Sequence, residues 1–177
     1  QVKDESWAII MNSLIADNYF EGTNTSWSRG TGIDVFNGGI ALINTTITGN
    51  QGFTTNQYGS GLSLNNSDES SDTREIILNS IIAGNTPSTD QMHISDQFSF
   101  GTDYTDYTAM SNSIFENGSG ESWFDPDDGH YDFDPLFADT NYVLSEYSRA
   151  IGLGGTSIED ADGNDISAPS VDINGDL

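Results

Sequence analysis

The sequence predicts an all-β chain wound as a parallel β-helix, a solenoid of about four to five coils. Three observations predict it. A seven-residue phrase recurs as Asn12-Ser-Leu-Ile-Ala-Asp-Asn18, Asn44-Thr-Thr-Ile-Thr-Gly-Asn50, Asn79-Ser-Ile-Ile-Ala-Gly-Asn85 and, with an altered end, Asn112-Ser-Ile-Phe-Glu-Asn-Gly118. Its leading asparagines stand 32, 35 and 33 positions apart, the near-fixed period of one supersecondary unit stacked on itself. Two apolar columns keep constant offsets from that Asn: Ile10, Leu42, Ile77 and Met110 before it, and Ile15, Ile47, Ile82 and Phe115 after it. Finally, short alternating segments precede the middle phrases, starting near Ile33, Leu62 and Met92 at spacings of 29 and 30.

Each element follows from this alignment. The stretch up to Asn12 already carries the apolar pattern (Trp7, Ile9, Ile10, Met11) and is expected to leave an open N-terminal face. Gly32-Ile-Asp-Val-Phe36, Gly61-Leu-Ser-Leu64 and Gln91-Met-His-Ile-Ser95 alternate with period two, as half-buried strands do. Asn suits a repeated bend because it tolerates left-handed backbone angles, and stacked carboxamides can bond one another along the axis. Ser13, Thr45, Ser80 and Ser113 follow the bend as a small hydroxylated column. A helical repeat is disfavoured because the segments are short, β-branched and punctuated by Gly and Asn. Polar excursions at residues 51–59 and 65–73, and a longer aromatic one at 96–108, are read as loops leaving the stack, where a solenoid usually places its binding surface. The coils are assigned to residues 1–155, with a terminal coil at 134–155 closing the C-terminal end, and residues 156–177 to an acidic tail or linker.

Only 34% of the chain is hydrophobic, which suits a fold burying one narrow apolar seam per coil. The net charge of −24 arises from 28 acidic residues against four basic ones, Lys3, Arg29, Arg74 and Arg149. Such a surface repels nucleic acid and anionic membranes, so neither is expected as a partner. No apolar run is long enough to span a bilayer, so no membrane insertion is expected. Cysteine is absent, which removes any disulfide framework. The chain is expected to be a segment of a longer exported polypeptide, partnered by other coils or domains of that parent.

The last third is similar to a known family. Asp134-Pro-Leu-Phe-Ala-Asp139, then Asn141-Tyr-Val-Leu-Ser145 and Ser148-Arg-Ala-Ile-Gly152, resemble the closing coils of secreted bacterial right-handed parallel β-helix proteins. The Asn-led phrases resemble the repeats of the same group, which includes polymorphic outer-membrane-type surface proteins and adhesins. The resemblance implies a right-handed winding and an extracellular or bacterial cell-surface location. It leaves activity open, because this architecture hosts adhesins, lyases, hydrolases and tailspikes alike. Glycines at strand starts match the group at Gly30, Gly32, Gly59 and Gly61 but not near Gln91, where the third coil is expected to be irregular.

Candidate chemistry is thin. The densest acidic patch, Asp125-Pro-Asp-Asp-Gly-His-Tyr-Asp-Phe-Asp134, offers paired carboxylates of the type that hydrolyse glycosidic bonds. A solvated loop is the commoner meaning of such a run. β-Helical lyases need a basic group beside a neutralised uronate, and four scattered basic residues do not supply that groove. No cofactor is assigned, and calcium is the candidate that the acidic turns suggest. Asp160, Asp162, Asn164 and Asp165, and again Asp172, Asn174 and Asp176, place oxygen ligands at alternate positions, without the Gly and Glu of an EF-hand loop. His93 and His130 are isolated and do not form a zinc pattern. Trp27, Trp123, Phe124 and Tyr131 are candidates for stacking on sugar rings or for packing on the end of the stack. No catalytic or cofactor-binding residue is assigned, and the metal ligands stay open. Three functions remain: a structural or adhesive segment, a carbohydrate-binding module, and part of a glycan-active enzyme. A glycan or protein ligand outside the cell fits the first two.

Overall fold

The computed structural model describes residues 2–3, 6–20, 28–52, 57–65, 75–87, 91–94, 108–160 and 162–171. Trp27, Arg74, most of the three polar excursions and the Asp172 to Asp176 ligand set lie outside them. The fold is all-β and its large sheets are parallel. Strands β1 (Val2–Lys3), β4 (Ile33–Phe36), β7 (Leu62–Asn65) and β10 (Met92–Ile94) form one sheet in that order. The second sheet is built from β2 (Trp7–Ala16), β5 (Gly39–Thr48), β8 (Glu75–Leu78), β9 (Ile81–Ala83), β11 (Thr108–Ser111), β12 (Ser113–Phe115) and β13 (His130–Tyr131). A small parallel pair joins β3 (Ser28–Arg29) to β6 (Gln57–Tyr58). The only helix among the described residues is a 3-10 turn at Pro126–Asp128.

The registers match the sequence alignment residue for residue. Ile10 pairs Leu42, which pairs Ile77, which pairs Met110. Ile15 pairs Ile47, and Ile47 pairs Ile82, which pairs Phe115. Both columns point into one interior cluster, shared with Ile33, Val35, Leu62, Leu64, Met92 and Ile94 of the first sheet. Leu42, Ile47, Ile77, Ile82 and Phe115 are fully buried, so each removes a large apolar side chain from water, contributing about 1.5–3 kcal/mol apiece. At the outer strand the same columns are only partly covered, because β2 pairs β5 alone among the described residues.

The bends are made as the sequence implies. Asn12, Asn44, Asn79 and Asn112 adopt positive φ of 47°, 50°, 52° and 50°. Each turns the chain between two strand halves: β5 pairs β8 before Asn44 and β9 after it. Asn44 Nδ2 donates to Asn12 Oδ1 at 3.0 Å and Asn79 Nδ2 to Asn44 Oδ1 at 3.1 Å. The hydroxyls that follow reach back over the corner, Ser80 Oγ to the Leu78 carbonyl at 3.0 Å and Ser113 Oγ to Ser111 at 2.8 Å. Each also accepts from the rung before it: Thr45 N–H donates to Ser80 Oγ, and Ser80 N–H to Ser113 Oγ.

A second carboxamide ladder runs through the phrase ends in the opposite sense. Asn18 Nδ2 donates to Asn50 Oδ1 at 2.7 Å, Asn50 Nδ2 to Asn85 Oδ1 at 2.8 Å, and Asn85 Nδ2 to Gln91 Oε1 at 3.0 Å. Donors of the first ladder point toward the N-terminal rung and those of the second away from it, so the two side-chain dipole rows oppose each other. Gln91 is the irregular member, buried and substituting for a fourth Asn from a position where the other rungs have Gly. Gly61 is required there: a Cβ would collide with Ile82 and the Asn85 amide.

Phe115, the last residue of its column, is covered by Trp123 edge-on at 5.1 Å and by His130 at 5.5 Å, with Phe124 beyond them. Residues 134–155, expected as a terminal coil, reach Asp17 through Tyr142 and Asn79 through Gly155. Their one β-bridge, Phe137 with Leu144, is antiparallel and internal. Residues 156–171, assigned from the sequence to a tail, carry an antiparallel hairpin of β14 (Ser157–Glu159) and β15 (Asp165–Ser167). The hairpin packs against β11, and the chain beyond it reaches Asn12, whose Nδ2 donates to the Val171 carbonyl at 3.0 Å. Ala41, Ile43, Ile76 and Leu78, which alternate with the core residues, are buried as well. The signal of the hairpin was missed because each of its strands has one apolar residue, Ile158 or Ile166.

Candidate functional site

The Asn corner and the strap across it form the most developed surface. Gly155 N–H donates to Asn79 Oδ1 at 2.7 Å while Asn79 Nδ2 donates to the Gly155 carbonyl at 2.8 Å. Having Gly155 at this point, Asn112 does not continue the ladder and its Nδ2 turns to Ser111 Oγ. Upstream on the strap, the Tyr142 hydroxyl donates to Asp17 Oδ1 at 2.5 Å, and its ring meets Phe137 edge-on at 5.4 Å. The hydrogen bond to Asp17, then burial and the nearby carboxylate charge, raise the phenol above its ordinary value. Tyr142 holds φ at 60°, unusual for a residue with a side chain, and Gly49 lies beneath its hydroxyl where any Cβ would strike the phenol oxygen. Between this part of the strap and the strands runs a cleft touched by Leu14, Thr46, Ile81, Val143 and Ile151.

The acidic stretch from Asp125 to Asp134 is largely used for its own folding. Asp125 caps the 3-10 turn by accepting from Asp127 N–H at 2.8 Å. Asp132 accepts from Asn117 N–H at 2.8 Å and Ser119 N–H at 3.1 Å. Burial pushes its carboxyl up, but the hydrogen bonds from Ser119 and Asn117 outweigh that and hold it below the ordinary value. Asp134 accepts from Leu136 N–H at 2.8 Å. Asp127 and Asp128 are exposed and face, across an open acidic cleft, Glu159 and Asp160 of the C-terminal hairpin. His130 is buried between two backbone groups: its Nδ1 accepts from Asp125 N–H at 2.9 Å and its Nε2 lies 3.1 Å from the Met110 carbonyl. That pairing to two backbone groups gives the ring a structural role.

The described calcium candidate is a hairpin turn. Asp160 Oδ1 accepts from Asp162 N–H at 2.9 Å and from Asn164 N–H at 2.8 Å, and its Oδ2 from Asn164 Nδ2 at 3.1 Å. Among the described residues no group of three or more His, Asp or Glu side chains converges as a metal site. His93 alternates with buried Met92 and Ile94 and so faces away from the core, in register with Ser63 and Asp34. Trp123 and Phe124 belong to the end of the stack, while Tyr131 packs on Phe133, over whose ring Arg149 lies at 4.5 Å. Sequence reasoning assigned no role to Tyr142, Val143, Ile151 or Gly155. Tyr142 and Val143 sit in Asn141-Tyr-Val-Leu-Ser145 and Ile151 in Ser148-Arg-Ala-Ile-Gly152, phrases that carry only the resemblance. Compared with known proteins, the chain matches no family model, no curated protein and no solved structure.

Proposed function

We propose that the chain is a structural or adhesive element of an extracellular or bacterial cell-surface protein, wound as a right-handed parallel β-helix within a larger secreted polypeptide. The observation that carries this reading is the in-register stacking of like side chains, apolar on apolar, on successive parallel strands about 4.8 Å apart. A stack of this kind is a stiff spacer whose length grows by addition of rungs and whose surface is set by its loops. Most carboxylates of the densest acidic run cap turns, which suits a scaffold better than a hydrolase. The exposed edge of β2 is where a preceding rung of the parent would add. The strong negative charge keeps such a rod soluble and turns away polyanions, leaving neutral or cation-bridged contacts. Retention of cells or extracellular matrix by the immobilised chain tests this directly. Saturable retention, with or without calcium, is the expected result; none on any surface would count against an adhesive role.

A further inference from the structure

The cleft between the strap and the strands has a volume of about 850 Å³, inside the roughly 300–1,000 Å³ range of small-ligand sites. Among the described residues none that lines it is charged, in a chain with 28 acidic side chains. Its floor is the outward face of three successive strands, Leu14, Thr46 and Ile81. Its far wall is Tyr142, Val143 and Ile151. Leu14, Val143 and Ile151 remain 44%, 59% and 58% exposed, so apolar surface faces water here.

The polar side chains that line it are neutral, and the carboxamides of the corner ladder are held in place. Asn44 uses one N–H on Asn12 and one lone pair on Asn79, which leaves one donor and one acceptor on a carboxamide fixed by the ladder. The Thr46 hydroxyl, on the same strand, has no partner among the described residues. Tyr142 is immobilised by Asp17 despite its left-handed backbone, and strain of this kind persists where the surroundings over-determine it. An uncharged cleft with exposed aliphatic surface, one aromatic wall and a spare amide beside a spare hydroxyl matches a sugar, which has C–H faces and a hydroxyl rim. Uronates and sulfated sugars would meet the repulsive field of the whole chain.

We propose that this cleft binds a short neutral oligosaccharide, with the ring faces on Leu14, Val143 and Ile151 and the hydroxyls on Asn44 and Thr46. The proposal deepens the adhesive reading by naming its ligand class, and it rests on that reading for its biological setting. The test is methyl NMR of the intact chain titrated with cellotetraose, chitotetraose or mannotetraose, and in parallel with tetragalacturonate and an uncharged extended peptide. At least one neutral tetrasaccharide should shift the Leu14, Ile81, Val143 and Ile151 methyls, with little dependence on salt. Val143→Glu and Ile151→Glu, at exposed positions that the fold tolerates, should weaken it at least tenfold; Tyr147→Glu, outside the cleft, should not. No shift at millimolar sugar, shifts elsewhere, unchanged affinity in both cleft variants, or a response to the galacturonate or the peptide instead would each overturn the site. Cell or matrix retention without cleft shifts sinks this site and spares the adhesive reading, whereas cleft binding without retention does the reverse.

Discussion

Asn79 and Gly155 hold each other by two hydrogen bonds, the side-chain carboxamide of one lying against the backbone N–H and C=O of the other. The carboxamide thereby serves both as a rung of the corner ladder and as the clasp of the C-terminal strap. Replacing it separates two effects. Asn79→Gly keeps the left-handed φ but loses the clasp, and should cost about 1–3 kcal/mol in urea unfolding. Asn79→Ala also strains the bend and should cost roughly 1–2 kcal/mol more. Limited proteolysis should cut within residues 134–171 sooner in both. Equal stabilities for the two variants would mean the φ of 52° contributes nothing.

Ile47 lies mid-stack and fully buried between Ile15 and Ile82. Ile47→Asp should be among the worst single changes, losing more than about 4 kcal/mol because no partner is available for the charge. Ile15→Asp, on the partly covered outer rung, should lose clearly less. Thermal or urea unfolding of the pair checks the gradient from the end to the middle of the stack.

Two contacts of the C-terminal region give opposite pH signatures. The Asp132 carboxyl, lowered from 3.8 in the fold, contributes stability that is present above that value and lost as pH falls through the lower folded value. The Tyr142 hydroxyl, raised from 10.0, contributes stability present below pH 10 and lost as pH rises through its higher folded value. Asp132→Asn should flatten the acid limb of the stability curve, and Tyr142→Phe the alkaline limb. Both titrations are readable by unfolding at graded pH.

Much of this was legible in the sequence, and the reason is translational. A parallel stack puts the same side chain in the same place on every rung, so columns such as Ile47, Ile82 and Phe115 and the corners at Asn12, Asn44 and Asn79 appear as fixed offsets. Gln91 was visible only as a missing glycine; that its longer amide reaches the position of a fourth ladder Asn needed the coordinates. The strap was hidden for the opposite reason. Its contacts, Gly155 with Asn79 and Tyr142 with Asp17, occur once each and join positions 76 and 125 residues apart. Nothing repeats there to align. The cleft inherits this, since one of its walls is the strap.

The outer edge of β2 bears exposed Trp7, Ile9, Met11 and Leu14, and no charged residue from Trp7 to Ala16. Edges without such protection pair with other strands. The isolated chain should therefore associate with rising concentration, more so at high salt as the repulsion of its −24 charge is screened. Ile9→Lys with Met11→Lys should suppress this. Light scattering that shows a monomer at every concentration would mean the edge is already protected.

A non-catalytic scaffold is the centre of the functional reading, and turnover is its most direct test. The chain is incubated with pectate, alginate, hyaluronan and neutral glycans while unsaturated products and new reducing ends are followed. No product above the protein-free control is the expected result, because the carboxylates of Asp125, Asp132 and Asp134 are occupied by backbone N–H groups, a use that suits turn-making better than proton transfer. Sustained turnover that disappears in Asp127→Asn with Asp128→Asn would contradict it and make the loop before His130 an active site.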